Sequence, residues 1–376
     1  MSTIDLHEKP FSEETITKLS IFEDYAKAWI PTFVMAEWSC EMNIFDFFAG
    51  TGYDKNNIAG SSIRILTQVS KYIGNIFAKK KRINIYINEL DFDKYNQLVN
   101  ACNGFVNSNA DLKRCVDSKF LNIIYTNKDC EEIFDIYFEK INQYPSLVYL
   151  DQNGVKFLAD KYFNKLSQSH TVDFLYFISS SYFLRFGNTE EFKKILDIDL
   201  LKAKENPYKY IHQFILEKLR EKIPKTSKTE LYPFTIKKGT NIYGIIFGAS
   251  HPRAVDKFLN ITWKTNATNG NANFDIDDDK SKNTFPDLFG CREYTKIQSF
   301  QENVKQNILS GKLRTNKEVY LYTLKNGHIA KHSEEVVKQM KKNNLIDYKE
   351  RSPLINYDQA IKKDRIIEYK IKKIIK

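Results

Sequence analysis

Several common function classes lack their signatures in this 376-residue chain. Its five cysteines, Cys40, Cys102, Cys115, Cys130 and Cys291, form no C-x-x-C pair, and the odd count leaves at least one unpaired. Neither a zinc site nor an iron–sulfur cluster is supported, and reduced, mostly buried thiols are expected. The fourteen glycines spell neither G-x-G-x-x-G nor G-x-x-x-x-G-K-[ST], which argues against a dinucleotide fingerprint and a P-loop. No proline precedes a cysteine, so the nucleophile of C5-cytosine chemistry is missing and "ENV" (302–304) is a coincidence. The stretch "DIDDDKSKN" (275–283) lacks the central glycine of a calcium loop, and Pro286 stands where the twelfth position requires Glu. No metal is expected. The longest apolar run, "VDFLYFISSSYFL" (172–184), falls short of the ~20 residues that cross a bilayer. "MSTIDLHEKPFSEETI" has neither a basic n-region nor an apolar h-region, so no secretion signal is visible and a cytoplasmic protein is expected.

What is present describes a globular protein. Hydrophobic residues make up 42% and aromatics 14% of the chain, enough for a sizeable core. The length exceeds the ~100–150 residues of one typical domain, so two domains are expected. Lys plus Arg outnumber Asp plus Glu by 57 to 47, a formal charge of +10, which suits an anionic partner such as nucleic acid. "KKKR" (79–82) is most simply a solvated helix end.

The apolar residues Ile16, Leu19, Phe22, Tyr25, Ala26 and Trp29 recur at helical spacing over 14–34, with Pro31 expected to end that helix. Strand-like runs follow: "FDFFAG" (45–50), "RINIYINE" (82–89), "LNIIYTN" (121–127), "SLVYLD" (146–151) and "VDFLYFIS" (172–179). Continuous apolar strands separated by ~20–35 residues imply a mostly parallel sheet with helices on both faces, a Rossmann-like α/β fold. The pattern is helical and charged over 187–225, returns to strand at "NIYGIIFGAS" (241–250), and closes on a helix at "AVDKFLNITWK" (254–264). Residues 265–292 are polar and rich in Asn and Asp, the expected connector after a first domain of 1–264. The remaining 293–376 read as three short helices, with Gly327 at a turn, and a final strand at "DRIIEYKIKKIIK". That is a small winged-helix-like domain.

In open α/β sheets ligands bind outside the carboxyl ends of the strands. The first strand there ends in "FDFFAGTG", offering Asp46, Ala49, Gly50 and Gly52, whose glycines let the backbone approach a ligand closely. The second ends at Glu89, where a carboxylate can accept both ribose hydroxyls. The third places Asn127 and Asp129 within reach of an adenine amino group, and the fourth, "DQNG", turns Asp151 and Asn153 to the substrate side. In this order the residues suit an S-adenosyl-L-methionine (SAM) pocket of methyltransferase type, with SAM as the expected cofactor. Arg185 and His251 are further pocket candidates, and Lys18 and Trp29 on the first helix are placed to cover the cofactor. Lys331, Lys338, Lys341 and Lys342 on the last helix offer cations to nucleic acid or to a protein partner.

"FDFFAGTG" with "AGSSIRIL" (59–66), "INELD" (87–91), "LVYLDQNG" (147–154), "VDFLYF" (172–177), "YGIIFGASH" (243–251), "KFLNITWK" and the loop "NGNANFDID" (269–277) resemble the three-Cys-motif partner proteins over about residues 14–290. The resemblance implies a bacterial, methyltransferase-like Rossmann protein encoded beside a phage-associated, radical-SAM-like protein that carries three cysteines. It implies such a cysteine-rich partner, and a role in phage defence or mobile-element biology. Many relatives look like "DPYG" at the fourth strand, whereas here Gln152 replaces the proline and Gly154 stands in the place of a stacking ring. Asp-Pro-Pro-aromatic motifs accept a target amine while the ring stacks on a flipped base, so transfer to an exocyclic amine is weakened and Asp151 survives as base or amine acceptor. Two other readings stay open: a non-catalytic adaptor that docks its partner onto nucleic acid, and a metal-dependent nuclease using Asp46, Glu89 and Asp151.

Overall fold

The computed structural model describes residues 10–152, 155–179, 183, 185–196, 207–239, 241–282 and 292–372. The chain divides into two units, Met1–His251 and Pro252–Lys376.

The first unit opens with helix α1 (Glu13–Val34) and strand β1 (Glu41–Asp46), followed by α2 (Ser61–Ser70), α3 (Ile73–Ala78) and β2 (Arg82–Asn88). Then come α4 (Phe92–Ser108), α5 (Ala110–Asp117), β3 (Leu121–Thr126), α6 (Cys130–Gln143), β4 (Ser146–Leu150), α7 (Asp160–Gln168) and β5 (Val172–Ser179). Two helices, α8 (Glu190–Ile195) and α9 (Pro207–Lys222), lead to β6 (Glu230–Lys238) and β7 (Asn241–Ala249). Among the described residues the sheet has seven strands in the order β3-β2-β1-β4-β5-β7-β6, and β7 is antiparallel to both of its neighbours. The strands β1 to β5 are parallel. Strands β2, β4 and β5 are buried almost end to end, while the edge strand β3 is half-exposed, as a sheet covered on both faces requires. Phe45, Val148, Leu150, Phe174, Tyr176 and Ile246 face a core with α6, α7 and α9. Helix α1 lies on the other face, where Phe22 stacks on Tyr149 at 4.1 Å and Tyr25 meets Phe247 at 4.8 Å. This is the Rossmann-like methyltransferase fold.

An asparagine ladder fixes the register of the first three strands. Asn43, Asn84 and Asn122 stand opposite one another; Asn122 donates to Asn84 (2.8 Å), and Asn84 donates to Asn43 (2.9 Å) and to Glu41 (2.7 Å). A slip by one residue would strand these buried amides.

Four expectations need correction here. Strand β1 starts at Glu41 and ends at Asp46, so residues 47–52 are loop: Gly50 and Gly52 have φ of 64° and 87°, outside any strand conformation. Helix α1 does not stop at Pro31 but runs through it to Val34, because a proline in the last turn removes only one intrahelical donor. Buried Trp29, Ile30 and Val34 anchor that turn. Strand β6 was not expected; Pro233 interrupts its sequence signal, yet β6 is an edge strand, where proline is tolerated. The long final strand is reduced, among the described residues, to β9 (Lys370–Ile371), paired antiparallel with β8 (Ile346–Asp347).

The second unit holds α10 (Pro252–Thr265), α11 (Lys296–Leu309), α12 (Asn316–Lys325) and α13 (Ala330–Lys342), then the β8–β9 wing. Capping boxes start α11 (Thr295 with Gln298) and α12 (Thr315 with Glu318), and Gly327 turns between α12 and α13 at φ 73°. The division falls before α10 rather than after it, since Trp263 of α10 donates to the Gly327 carbonyl (2.9 Å) and packs on His332. The polar stretch beyond α10 is a built loop in its described part. Asn266 donates to the carbonyls of Ala272 and Phe274, and Asn269 to that of Phe274.

Candidate functional site

Parallel register brings the predicted strand-end carboxylates together. Asp46 stands opposite Ile87 on one side and Tyr149 on the other. Side chains two residues apart share a face, so Glu89 and Asp151, each two residues further on, emerge on the same face and edge as Asp46. Leu175 stands opposite Tyr149, which by the same rule adds Phe177. This is the face that α1 covers.

Asp46 is fully buried. Ser61, the first residue of α2, donates its hydroxyl to Oδ2, and the Phe48 N–H reaches Oδ1 at 3.3 Å. Burial pushes its pKa up to about 7; the two hydrogen bonds oppose this, and the charges of Asp151 and Glu89 add to it. Glu89 is half-buried and accepts the backbone N–H of Gly50 (2.9 Å) and of Asp91 (3.1 Å). Ala49 is buried and donates to the Asn88 carbonyl at 2.9 Å. Gly52 is fixed from two sides: its carbonyl accepts Gly60 N–H (2.7 Å), and a Cβ there would lie 2.8 Å from that of Ala101. The glycine turn and the start of α2 are therefore one packed unit.

Asn127 spends its amide on the carbonyls of Glu89 and Leu90, both at 2.8 Å, and so shapes the loop after β2. Asp129 is exposed and caps α6 through the Glu131 N–H (2.8 Å); its capping role explains that residue without a ligand. Leu90 and Phe92, 63% and 65% exposed, flank the loop beside Glu89. Sequence reasoning passed over both, although two large apolar residues around "LDF" were a visible signal.

At β4, the ammonium of Lys18 forms an ion pair with Asp151 and stands 4.1 Å over the Phe177 ring. Both polar partners are largely withdrawn from water, with side-chain exposures of 8% and 22%. Gln152 is buried; its Oε1 accepts the Phe157 N–H (2.8 Å), while its Nε2 has no hydrogen-bond partner. Asn153 lies outside the described residues. Trp29 is a core residue beside Phe33.

Arg185 is exposed in the segment after β5. His251 does not join the site. Because β7 is antiparallel, with Gly248 opposite Phe174, the chain leaves it near the start of β5, at the far end of the sheet. A cleft of about 200 Å³ lined by Gln168, His170, Lys228 and Ser250 lies at that same far end and is separate from the carboxylates. Among the described residues, no three His, Cys, Asp or Glu side chains are grouped to hold a metal ion, and no helix is long and apolar enough to cross a membrane. In the second unit, Lys331 and Lys338 pair with Glu335 (3.9 Å) and Glu334 (3.1 Å) of their own helix, Lys341 bonds the carbonyls of Tyr348 and Glu350, and Lys342 is exposed.

A family profile described as the GMT-like wHTH domain matches residues 273–353. Among solved structures the chain is similar to the delta-N METTL16 MTase domain, at 9% identity and a TM-score of 0.30, over 64% of this chain and 84% of that one. It is also similar to a METTL16 MTase domain, at 10% identity and a TM-score of 0.31, over 66% and 73%. Comparison with curated proteins gives no match.

Proposed function

We propose that the first unit binds SAM at the carboxyl ends of β1, β2 and β4, and that the chain is a methyltransferase-like protein acting on nucleic acid. The observation that carries this reading is the convergence of Asp46, Glu89 and Asp151 on one face and edge of this sheet, beside the Gly50–Gly52 turn. The donor set fits the cofactor's charge. SAM bears a sulfonium and an ammonium, and a carboxyl whose pKa is pushed up to about 7 by burial and by two neighbouring acids gains from a nearby cation. When bound, SAM supplies an electrophilic methyl group. Glu89, oriented by the Gly50 and Asp91 N–H groups, would hold the ribose hydroxyls. Asp151 takes the acceptor side, and Lys18 must leave it before an acceptor can bind there. Rate would come from in-line positioning, which needs few titrating groups. The resemblance to three-Cys-motif partner proteins adds a cysteine-rich, radical-SAM-like partner and a setting in phage defence or mobile-element biology.

One observation favours a second reading, a non-catalytic adaptor that docks its partner onto nucleic acid. Lys18 already neutralises Asp151, and Gln152 is turned into the protein toward Phe157. The two readings part in a transfer assay with methyl-labelled SAM, offered DNA, RNA and the cysteine-rich partner. Label in an acceptor, lost in Asp151→Ala while the cofactor still binds, supports the enzyme. Cofactor binding with no label in any acceptor leaves the adaptor.

A further inference from the structure

The second unit carries its cations in two places and treats them differently. Along α13, Lys331 and Lys338 face glutamates one turn away, and Lys341 is folded back over the Tyr348 ring at 4.0 Å. Three of its four lysines are thus engaged within the chain. The stretch that follows is different. Lys349, Arg351, Lys362, Lys363 and Lys370 are exposed, and among the described residues none is paired with a carboxylate. Three acids in the same stretch are already answered, Asp347 by Lys341 (3.7 Å), Glu350 by Arg365 (2.7 Å) and Asp364 by Lys317 (2.8 Å). Asp358 and Glu368 are the other acids of the stretch, so the five cations remain in excess.

The stretch is also held in shape. Asp347 stands opposite Lys370 in the β8–β9 pair. Beneath it the buried rings of Tyr348 and Tyr369 meet at 5.5 Å, and the Tyr369 hydroxyl donates to the Pro353 carbonyl (3.0 Å). The buried amide of Asn316 ties the carbonyls of Leu354 (3.1 Å) and Arg365 (3.0 Å) to α12. Residues 347–354 and 364–371 therefore run side by side as one strap with Lys349, Arg351 and Lys370 exposed on it, and Lys362 and Lys363 are exposed at the end of the helical turn that leads into its second limb.

We infer that this strap, rather than α13, is the surface on which the second unit meets the sugar–phosphate backbone of double-stranded DNA. The inference rests on the nucleic-acid part of the proposed function and adds the contact surface and the form of the ligand. Lys and Arg without neighbouring base-reading amides contact phosphates and carry no sequence information. The tyrosines at the base of the wing, 5% and 6% exposed, give no platform for unstacked bases, which single-strand binders require. The exposed polar side chains of the strap are ammonium, guanidinium and carboxylate groups, none of them a hydroxyl or amide of the kind that recognises ribose 2′-OH groups.

The test is fluorescence anisotropy on the full chain with a short DNA duplex, titrated over a range of salt. Five substitutions, Lys349→Ala, Arg351→Ala, Lys362→Ala, Lys363→Ala and Lys370→Ala, are combined in one variant; Lys331→Ala, Lys338→Ala and Lys342→Ala form the other. All of these side chains are exposed, and circular dichroism checks that both variants fold. Each phosphate contact contributes about 0.9 to the slope of log K against log salt. The strap variant is expected to lose about 3–4 of that slope and, at low salt, on the order of 100-fold in affinity, with the α13 variant within about twofold of wild type. Loss confined to the α13 variant overturns the placement and leaves the nucleic-acid reading standing. Tighter binding of single-stranded DNA or duplex RNA overturns the choice of ligand. No binding of any nucleic acid by the wild type removes both.

Discussion

The carboxyl of Asp46 is closed off from solvent, and its pKa of about 7 lies well above the ordinary 3.8. The folded state therefore binds that proton more tightly than the unfolded chain does. Stability falls as pH rises from the unfolded value through about 7, by on the order of 4 kcal/mol in all. Asp46→Asn removes this penalty and keeps an acceptor for Ser61. It is expected to raise the Tm at pH 8 and to change it little at pH 4. A lower Tm at pH 8 would contradict the burial account. Cofactor binding moves the other way: neutralising Asp46, by substitution or by lowering the pH from 8 to 6, is expected to weaken SAM. Lys18 and Asp151 form a coupled pair of largely buried charges. Lys18→Met is expected to lose about 1–3 kcal/mol, and adding Asp151→Asn to recover most of it, because the first change alone leaves a carboxylate without its partner. Additive losses in denaturant melts would show that the ion pair is not the cause.

At the scale of elements, two buried polar devices carry predictions. The asparagine ladder makes Asn84 the hinge of three strands. Asn84→Leu leaves the partner amides unsatisfied and is expected to lose about 2–4 kcal/mol in urea melts; a change under about 1 kcal/mol would deny the ladder its role. In the second unit, His328 and His332 meet through their Nδ1 atoms at 3.0 Å, with Phe300 stacked on His328 at 3.9 Å. Burial, helped by the charge of Lys296, pushes their pKa values down to about 2 and about 4. Here the unfolded state binds the extra protons. The stabilisation is whole above the unfolded value of 6.5 and is lost as pH falls below it, by up to ~2.7 kcal/mol per pH unit while both histidines differ. His328→Phe keeps the stack and is expected to flatten the pH dependence of unfolding between pH 6 and 4. An unchanged slope would move the acid sensitivity elsewhere.

Legibility in sequence followed the same scales. Uninterrupted apolar strands at regular spacing carry the parallel core openly, and Asp46, Glu89 and Asp151 were readable because a parallel strand delivers its carboxyl end to a fixed edge. The antiparallel exit of β7 leaves no mark in local composition, which is why His251 was read at the functional edge and lies at the other. Strand β6 was hidden by Pro233, and the place of α10 in the second unit, though not the helix itself, by its polar sequel, whose asparagines turn out to bond the loop's own backbone. Side-chain pairing is a property of the folded chain, so neither the Lys18–Asp151 ion pair nor the commitment of Lys341 to the wing was visible beforehand.

For the whole molecule, +10 in formal charge coexists with a strand-end site that gathers three carboxylates, one of them paired with Lys18. That contrast is what the two proposals rest on: a cationic cofactor at the sheet edge and a polyanion at the wing. Isothermal titration calorimetry of the full chain with SAM at pH 8 tests the central claim most directly, with Glu89→Ala and His251→Ala alongside. A saturable heat in wild type and His251→Ala, weakened at least about tenfold in Glu89→Ala, where a ribose partner worth roughly 1.4 kcal/mol or more is removed, is the predicted result. No saturable heat from the wild type at millimolar SAM, or an unchanged affinity in Glu89→Ala, would contradict the account.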